Sequence, residues 1–417
     1  MTFAKFSFME EWKTYRLEDL TIDGKGHYGI GAPAVDYDEN KFTYLRITDI
    51  NDDGSLNYSG LKSVDDPEAS KYLLQEGDIV FARTGNSTGR SYYYEPSDGQ
   101  FVFAGFLIKF SLDPTKVNPR FLKYYTHSKM YYEWVQSFDT GATRGNINAQ
   151  TFGSMEINLP PREVQDRLVE ILRSIDDKIK LNNRINHNLE EQARALYKSW
   201  FVDFEPFKGG NFVDSELGLI PEGWRVGTLS ELGDIVAGGT PSKTKPEYFT
   251  NNGISWLTPK DLSVKCNKFT ARGEIDITED GYKNSSTKLM PRGSVLFSSR
   301  APIGYISIAK GDICTNQGFK SVVPTYAGTA YLYYWLCENT EAIEAQASGS
   351  TFKEASGSLM RSFPALVPEK SVIDSFEKEL SPILNEQEVL EEEINHAEQI
   401  RDSLLPRLMS GELFMNC

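Results

Sequence analysis

The chain has 417 residues, 40% hydrophobic and 12% aromatic, which is enough for about two to four domains with buried cores and excludes a disordered or fibrous protein. No run of about 18 apolar residues is present, so no membrane span is predicted, and residues 1–6 lack the apolar stretch of a secretory signal. Cys266, Cys314, Cys337 and Cys417 form no C-x-x-C pair, which argues against a disulfide framework or zinc site and for a reducing cytoplasm, while the net charge of −15 is concentrated: residues 1–160 carry −6, 161–205 −1, 206–367 zero and 368–417 −8.

In chain order, residues 77–82 and 101–110 are β-branched and aromatic runs bounded by Gly and Asp, and read as strands. Residues 119–134 read as a helix with one aromatic face. Next comes a seam stepping by four and three: Leu168, Leu172, Ile175, Ile179, Asn182, Asn186, Leu189, Ala193, Leu196 and Trp200. Residues 329–347 read as another helix. Near the C-terminus two seven-residue series interleave: Ile373, Leu380, Gln387, Ile394, Arg401 and Leu408, and Phe376, Ile383, Leu390, Ala397 and Leu404. A strict heptad over this length predicts a coiled coil, and the two helices most simply pair with each other, antiparallel. Pro382 is costly inside a helix, so Ser381 is expected as N-cap with the long helix starting at Pro382. The polar breaks Asn182, Asn186, Gln387 and Arg401 are expected to weaken the seams while fixing register.

The strongest signal is an internal duplication. Trp12, Leu17, Asp19 and Leu20 recur as Trp224, Leu229, Glu231 and Leu232; Gly77-Asp78-Ile79-Val80-Phe81-Ala82 recurs as Gly293-Ser294-Val295-Leu296-Phe297-Ser298; Thr140-Gly141-Ala142-Thr143 recurs as Ser348-Gly349-Ser350-Thr351. The offset drifts from 212 to 216 to 208, as loop insertions and deletions produce. The reading is α+β: two similar globular domains, 1–160 and 206–367, each followed by a helical spacer, 161–205 and 368–417. A helix of about 33 residues is about 50 Å long, roughly one and a half turns of B-DNA. Two readers held that far apart would see two short half-sites with an unread gap.

Several segments resemble a known family. Leu159-Pro160-Pro161-Arg162-Glu163-Val164-Gln165 is similar to the start of its central repeat, and Ala195-Leu196-Tyr197-Lys198-Ser199-Trp200-Phe201-Val202-Asp203-Phe204 to its end. Ile220-Pro221-Glu222-Gly223-Trp224 resembles the entry to its second domain, and Leu404-Leu405-Pro406-Arg407-Leu408-Met409-Ser410-Gly411-Glu412-Leu413 its terminal repeat. These are marks of type I restriction-modification specificity subunits, and the resemblance covers essentially the whole chain. Val367-Pro368-Glu369-Lys370 departs from the fuller Pro-Pro opening, which puts the start of the last helix in question. The resemblance implies two target-recognition domains on double-stranded DNA. It also implies helices that dock two methyltransferase subunits, which bind S-adenosylmethionine and methylate adenine, with motor-nuclease subunits joining for restriction.

The chain itself offers no catalytic, cofactor or metal motif. Gly85-Asn86-Ser87-Thr88-Gly89-Arg90 is too short for a phosphate loop and lacks its Lys-Ser/Thr. His187 and His396 fall on the predicted coiled coil and read as solvated. DNA contact calls for Arg, Lys, Asn, Gln or small donors on loops. The candidates are Arg83, Thr84, Asn86 and Arg90 after the first predicted strand; Thr143, Arg144 and Asn146 in a second loop; and Lys243, Lys260, Ser299, Arg300 and Lys353 in the second domain. Tyr92-Tyr93-Tyr94 and residues 331–335 read as core rather than stacking platforms. The alternatives are a coiled-coil interaction scaffold without DNA reading, against which the paired polar loops speak, and a methyltransferase-specificity fusion, against which the missing motifs and the length speak.

Overall fold

The computed structural model describes residues 12–138, 145–264, 267–349 and 353–412. The chain divides into two compact units, Met1–Lys178 with His396–Cys417, and Ile179–Asn395. A central helix, Arg162–Phe201, and a C-terminal helix, Lys370–Met409, each contribute one stretch to each unit. Each unit mixes strands and helices, as the α+β reading expects.

In the first unit the strand Asp78–Ala82 is buried along its whole length and paired on both sides, with Ser91–Tyr93 and Leu107–Ser111. Its apolar run is continuous because both faces are covered. Ile79 and Phe81 enter a core with Phe121, Tyr131 and Phe152, while Val80 and Ala82 enter another with Leu45, Phe101 and Phe103. In the second unit Val295–Ser299 does the same: Val295 and Phe297 pack with Tyr331 and Trp335, and Leu296 with Leu257 and Phe319. The tyrosines Tyr92, Tyr93 and Tyr94 and the run from Tyr331 to Trp335 are buried, as the core reading expects.

The duplication persists in single hydrogen bonds. Lys13–Arg16 pairs antiparallel with Glu156–Leu159, starting at Lys13 opposite Leu159; Arg225–Thr228 pairs with Pro364–Val367, starting at Arg225 opposite Val367. The Leu17 amide donates to the Met155 carbonyl at 3.0 Å, and the Leu229 amide to the Phe363 carbonyl at 2.9 Å. The turns that follow share a cap: Asp19 accepts from the Arg16 amide and Glu231 from the Thr228 amide.

The central helix opens behind Pro160 and Pro161, whose rings cannot continue a helix backwards. The Pro161 carbonyl accepts from Val164 and Gln165, and the Gln165 side-chain amide donates to the Pro160 carbonyl. The helix ends where the Asp203 amide donates to the Lys198 carbonyl and Phe204 turns left-handed at φ 54°. That conformation costs a non-glycine residue about 1–2 kcal/mol, and ring contacts with Phe212 and Trp224 hold it.

The seam residues point inward as predicted. In the first unit Leu168 and Leu172 pack with Leu405, Leu408 and Met409, and in the second Ala193, Tyr197 and Phe201 pack with Ile373, Phe376 and Leu380. Within each unit the early part of one helix meets the late part of the other, so the pairing is antiparallel. Asn182 is buried and donates to Glu393 at 2.9 Å.

Three element boundaries differ from the sequence reading. Residues 101–110 form two strands, Phe101–Phe103 and Leu107–Ser111, in different sheets, because residues 104–106 turn between them. Residues 119–134 fall in two helices, Pro119–Tyr125 and Lys129–Gln136, because Ser128 caps the second by accepting from the Tyr131 amide. The C-terminal helix starts at Lys370 rather than Pro382, so the proline lies inside it. Ile373, Phe376 and Leu380 are fully buried ahead of it. At about 1.5–3 kcal/mol each, they outweigh the roughly 3 kcal/mol an interior proline costs.

Candidate nucleic-acid interface

In each unit the buried strand delivers the chain to a clamped position. The Arg83 amide donates to the Phe106 carbonyl at 3.1 Å, and the Ile147 amide donates to the Arg83 carbonyl at 3.0 Å. Ser299 is held identically: its amide donates to the Gly318 carbonyl at 2.7 Å, and the Ala355 amide donates to its carbonyl at 2.9 Å. A fourth segment joins each clamp. The Gly29 amide donates to the Leu107 carbonyl and the Gly238 amide to the Phe319 carbonyl; the Ile30 amide donates to Phe103 and the Gly239 amide to Thr315. A Cβ on Gly29 or Gly238 would lie about 2 Å from a carbonyl oxygen, 2.2 Å from Phe103 and 1.9 Å from Asn316, so this close approach requires glycine. Four chain segments per unit therefore converge on one backbone frame, and the frame is the same in both units.

The side chains on the two frames differ. In the first unit the Arg83 guanidinium lies 5.1 Å from the Tyr28 ring centroid and its Nε donates to Asn146 Oδ1 at 3.4 Å. The Tyr28 hydroxyl accepts from the Ala149 amide. Among the described residues no carboxylate reaches Arg83 within ion-pair distance, which leaves its remaining donors for an outside acceptor. Thr84 is half-buried and Asn86 exposed. The Thr88 hydroxyl donates to the Gly145 carbonyl at 2.9 Å and so ties the two polar loops together. Arg90 is directed away, with Nε on Asp52 at 2.6 Å and Nη1 on the Ile50 carbonyl at 3.0 Å. Asn146 is exposed; Thr143 and Arg144 lie outside the described residues.

In the second unit Ser299 is fully buried and its hydroxyl donates inward to the Gly318 carbonyl, so its side chain belongs to the frame rather than to the surface. Arg300 is half-buried with Nη1 3.6 Å from Glu354, whose other oxygen accepts from the buried Lys320 at 3.0 Å. The next residue, Ala301, is exposed and left-handed at φ 54°. Lys243 and Lys353 are exposed. Lys260 is exposed and pairs with Glu274 at 3.1 Å, an exposed pair of a kind that contributes little.

Sequence reasoning missed four members. Tyr28 and Phe106 are exposed aromatic residues flanking the first frame, and the exposed Gln317 accepts from the Thr240 hydroxyl beside the second. The buried Lys320 went unnoticed because it lies in a strand. The 212-residue offset, carried on from Trp12, would have paired Phe106 with Gly318. Among the described residues no group of three or more His, Cys, Asp or Glu side chains is placed to hold a metal ion, and no helix is long and apolar enough to cross a membrane.

Comparison with known proteins places these features. The model of the type I restriction modification DNA specificity domain matches residues 9–191 and again 221–395. The specificity subunit of the type I restriction enzyme HindI from Haemophilus influenzae is 25% identical, over 97% of this chain and 100% of that protein. That of MjaIX from Methanocaldococcus jannaschii is 39% identical over 36% of this chain and 35% of its own. In fold, the crystal structure of a type I restriction-modification S subunit from M. genitalium aligns with a TM-score of 0.62 at 13% identity, covering 95% of this chain and 96% of that one.

Proposed function

We propose that this chain, which belongs to the type I restriction modification DNA specificity family and is a non-catalytic specificity subunit, reads a bipartite double-stranded DNA site, one half with each globular domain. Residues 1–160 and 206–367 serve as the readers, and 161–205 and 368–417 as helical spacers. The observation that carries the reading is one backbone frame occurring twice with different side chains on it: Arg83, Tyr28 and Asn146 in one unit, Arg300, Glu354 and Gln317 in the other. A shared frame presents loops to the same kind of surface, and different donors and acceptors on it discriminate different base edges. Arg83 and Asn146 in the first frame, and Lys243, Arg300 and Lys353 in the second, are the contacts this reading favours. The helices dock two methyltransferase subunits, which supply S-adenosylmethionine and the chemistry, and motor-nuclease subunits join them for restriction.

The test is to express the chain with its methyltransferase partner and map methylated adenines in host DNA. A two-part motif is expected, and substitutions in one frame should alter one half only. A continuous motif, or changes in both halves from one frame, would overturn the reading.

A further inference from the structure

Among the described residues Lys268 is the most enclosed cation of the second unit, with its side chain 7% exposed. It precedes the strand Phe269–Thr270, and its carbonyl accepts from the Ile308 amide at 2.7 Å, so its backbone is part of the reader's sheet. Its side chain leaves the sheet and enters the helical seam. The ammonium donates to Glu190 of the central helix at 2.7 Å, to Gln387 of the C-terminal helix at 2.8 Å and to the Tyr334 hydroxyl at 2.6 Å. Those three bonds satisfy all its N–H groups. The rings of Tyr333 and Tyr334 lie 4.6 and 4.7 Å away and add cation–π attraction. Beneath it, Glu391 accepts from the Lys268 amide at 2.8 Å and the Phe269 amide at 3.1 Å. Gln387 is one of the polar breaks in the C-terminal heptad series, and it is fully buried. Its side-chain amide turns to Glu190 and to the Asn186 carbonyl.

An apolar contact between a sheet and a helix pair tolerates sliding; a buried ammonium with three directed bonds to three elements tolerates far less. We propose that Lys268 is a positioning residue for recognition: by entering the polar layer formed by Glu190 and Gln387, it fixes the second reader on both helices and holds the gap between half-sites to one length. The inference rests on the bipartite reading above. The polar break in the heptad pattern is then a socket for the reader as well as a register mark between helices.

The experiment compares methylation motifs of the full complex carrying the parent chain, Lys268→Met, Lys268→Arg and the double variant Lys268→Met with Glu190→Gln. The double variant also removes the Glu190 carboxylate that the lost ammonium leaves unpaired, while Glu391 keeps its two backbone amides, so it tests the idea even where Lys268→Met fails to fold. Expected is unchanged sequence in both half-sites, with methylation at sites whose gap is one base pair longer or shorter rising by about tenfold relative to the parent, and restoration toward one gap by Lys268→Arg. A double variant that folds, methylates and keeps the parental gap preference would overturn the role of Lys268. A parent complex with no bipartite motif would overturn the functional reading, and this inference with it.

Discussion

The Ile147 amide donates to the Arg83 carbonyl at 3.0 Å, and this bond holds the Arg83 side chain at the meeting point of two polar loops. Arg83→Ala should leave the backbone clamp intact, because the bond uses main-chain atoms. It should reduce binding through the first half-site by about 1–3 kcal/mol if the guanidinium reads a base, with relaxed preference at one position. Arg300→Ala should act on the second half-site, and more weakly, because Glu354 already engages its guanidinium. Titration of the methyltransferase complex against DNA with either half-site scrambled measures both. Equal losses on both half-sites from either variant would contradict the assignment.

His127 lies against Tyr132 in the first unit, and its pKa is lowered from 6.5 to about 4, chiefly by burial, with Lys123 and Arg401 lowering it and Asp53 and Asp176 raising it. The unfolded chain therefore binds more protons than the folded one between about pH 6.5 and 4. The stability that follows from keeping His127 neutral is fully present above pH 6.5 and is lost as pH falls toward 4. His127→Gln should remove this contribution, so the urea midpoints of parent and variant should change their spacing across that window. Curves that stay parallel from pH 7 to 4 would rule it out.

Pro382 lies inside the C-terminal helix and is exposed, so nothing in the core needs its ring. Pro382→Ala restores an amide that can donate to the Lys378 carbonyl and removes a residue about 3 kcal/mol worse than alanine in a helix interior. The melting temperature of the chain should rise by several degrees, with the methylation motif unchanged. A fall in melting temperature would mean that the helix is adapted to the proline.

Asn182 and Glu393 mark a level at which the two long helices are joined by a hydrogen bond. Insertion of seven residues into both helices near this level keeps the heptad phase. It adds about 10 Å at 1.5 Å per residue, or roughly three base pairs at 3.4 Å each. The methylated motif should keep its two halves and lengthen its gap by that amount. An active complex with the parental gap would show that these helices do not set it.

Periodic features were legible in the sequence and aperiodic ones were not. The seam from Leu168 to Trp200 and the buried strands at Ile79 and Val295 follow from apolar spacing, and the duplication located equivalent loops without any structure. The start of the last helix was misjudged because Pro382 is a strong local signal that tertiary burial of Ile373, Phe376 and Leu380 overrides. Of the candidate contacts, Arg83 and Asn146 meet, as do the loops carrying Ser299 and Lys353. Ser299 itself turned inward, since a serine at a strand end reads the same whether its hydroxyl faces solvent or the Gly318 carbonyl. Tyr28 and Phe106 escaped because a single exposed aromatic residue has no pattern.

The clasp around Lys268 also bears on the protein as a polyelectrolyte. Glu391 accepts two backbone amides, Glu377 accepts the Ala330 and Tyr331 amides at a helix start, and Glu388 meets Arg292 at 2.5 Å. Part of the acidic C-terminal helix is thus engaged locally by the second unit through backbone amides and the Arg292 guanidinium. Beyond a Debye length of about 8 Å at physiological salt, an approaching DNA backbone responds to the charges near the reading loops more than to the total of −15. Counterion release on binding should accordingly follow the number of loop cations that meet phosphates, and a titration in ionic strength should count them one substitution at a time.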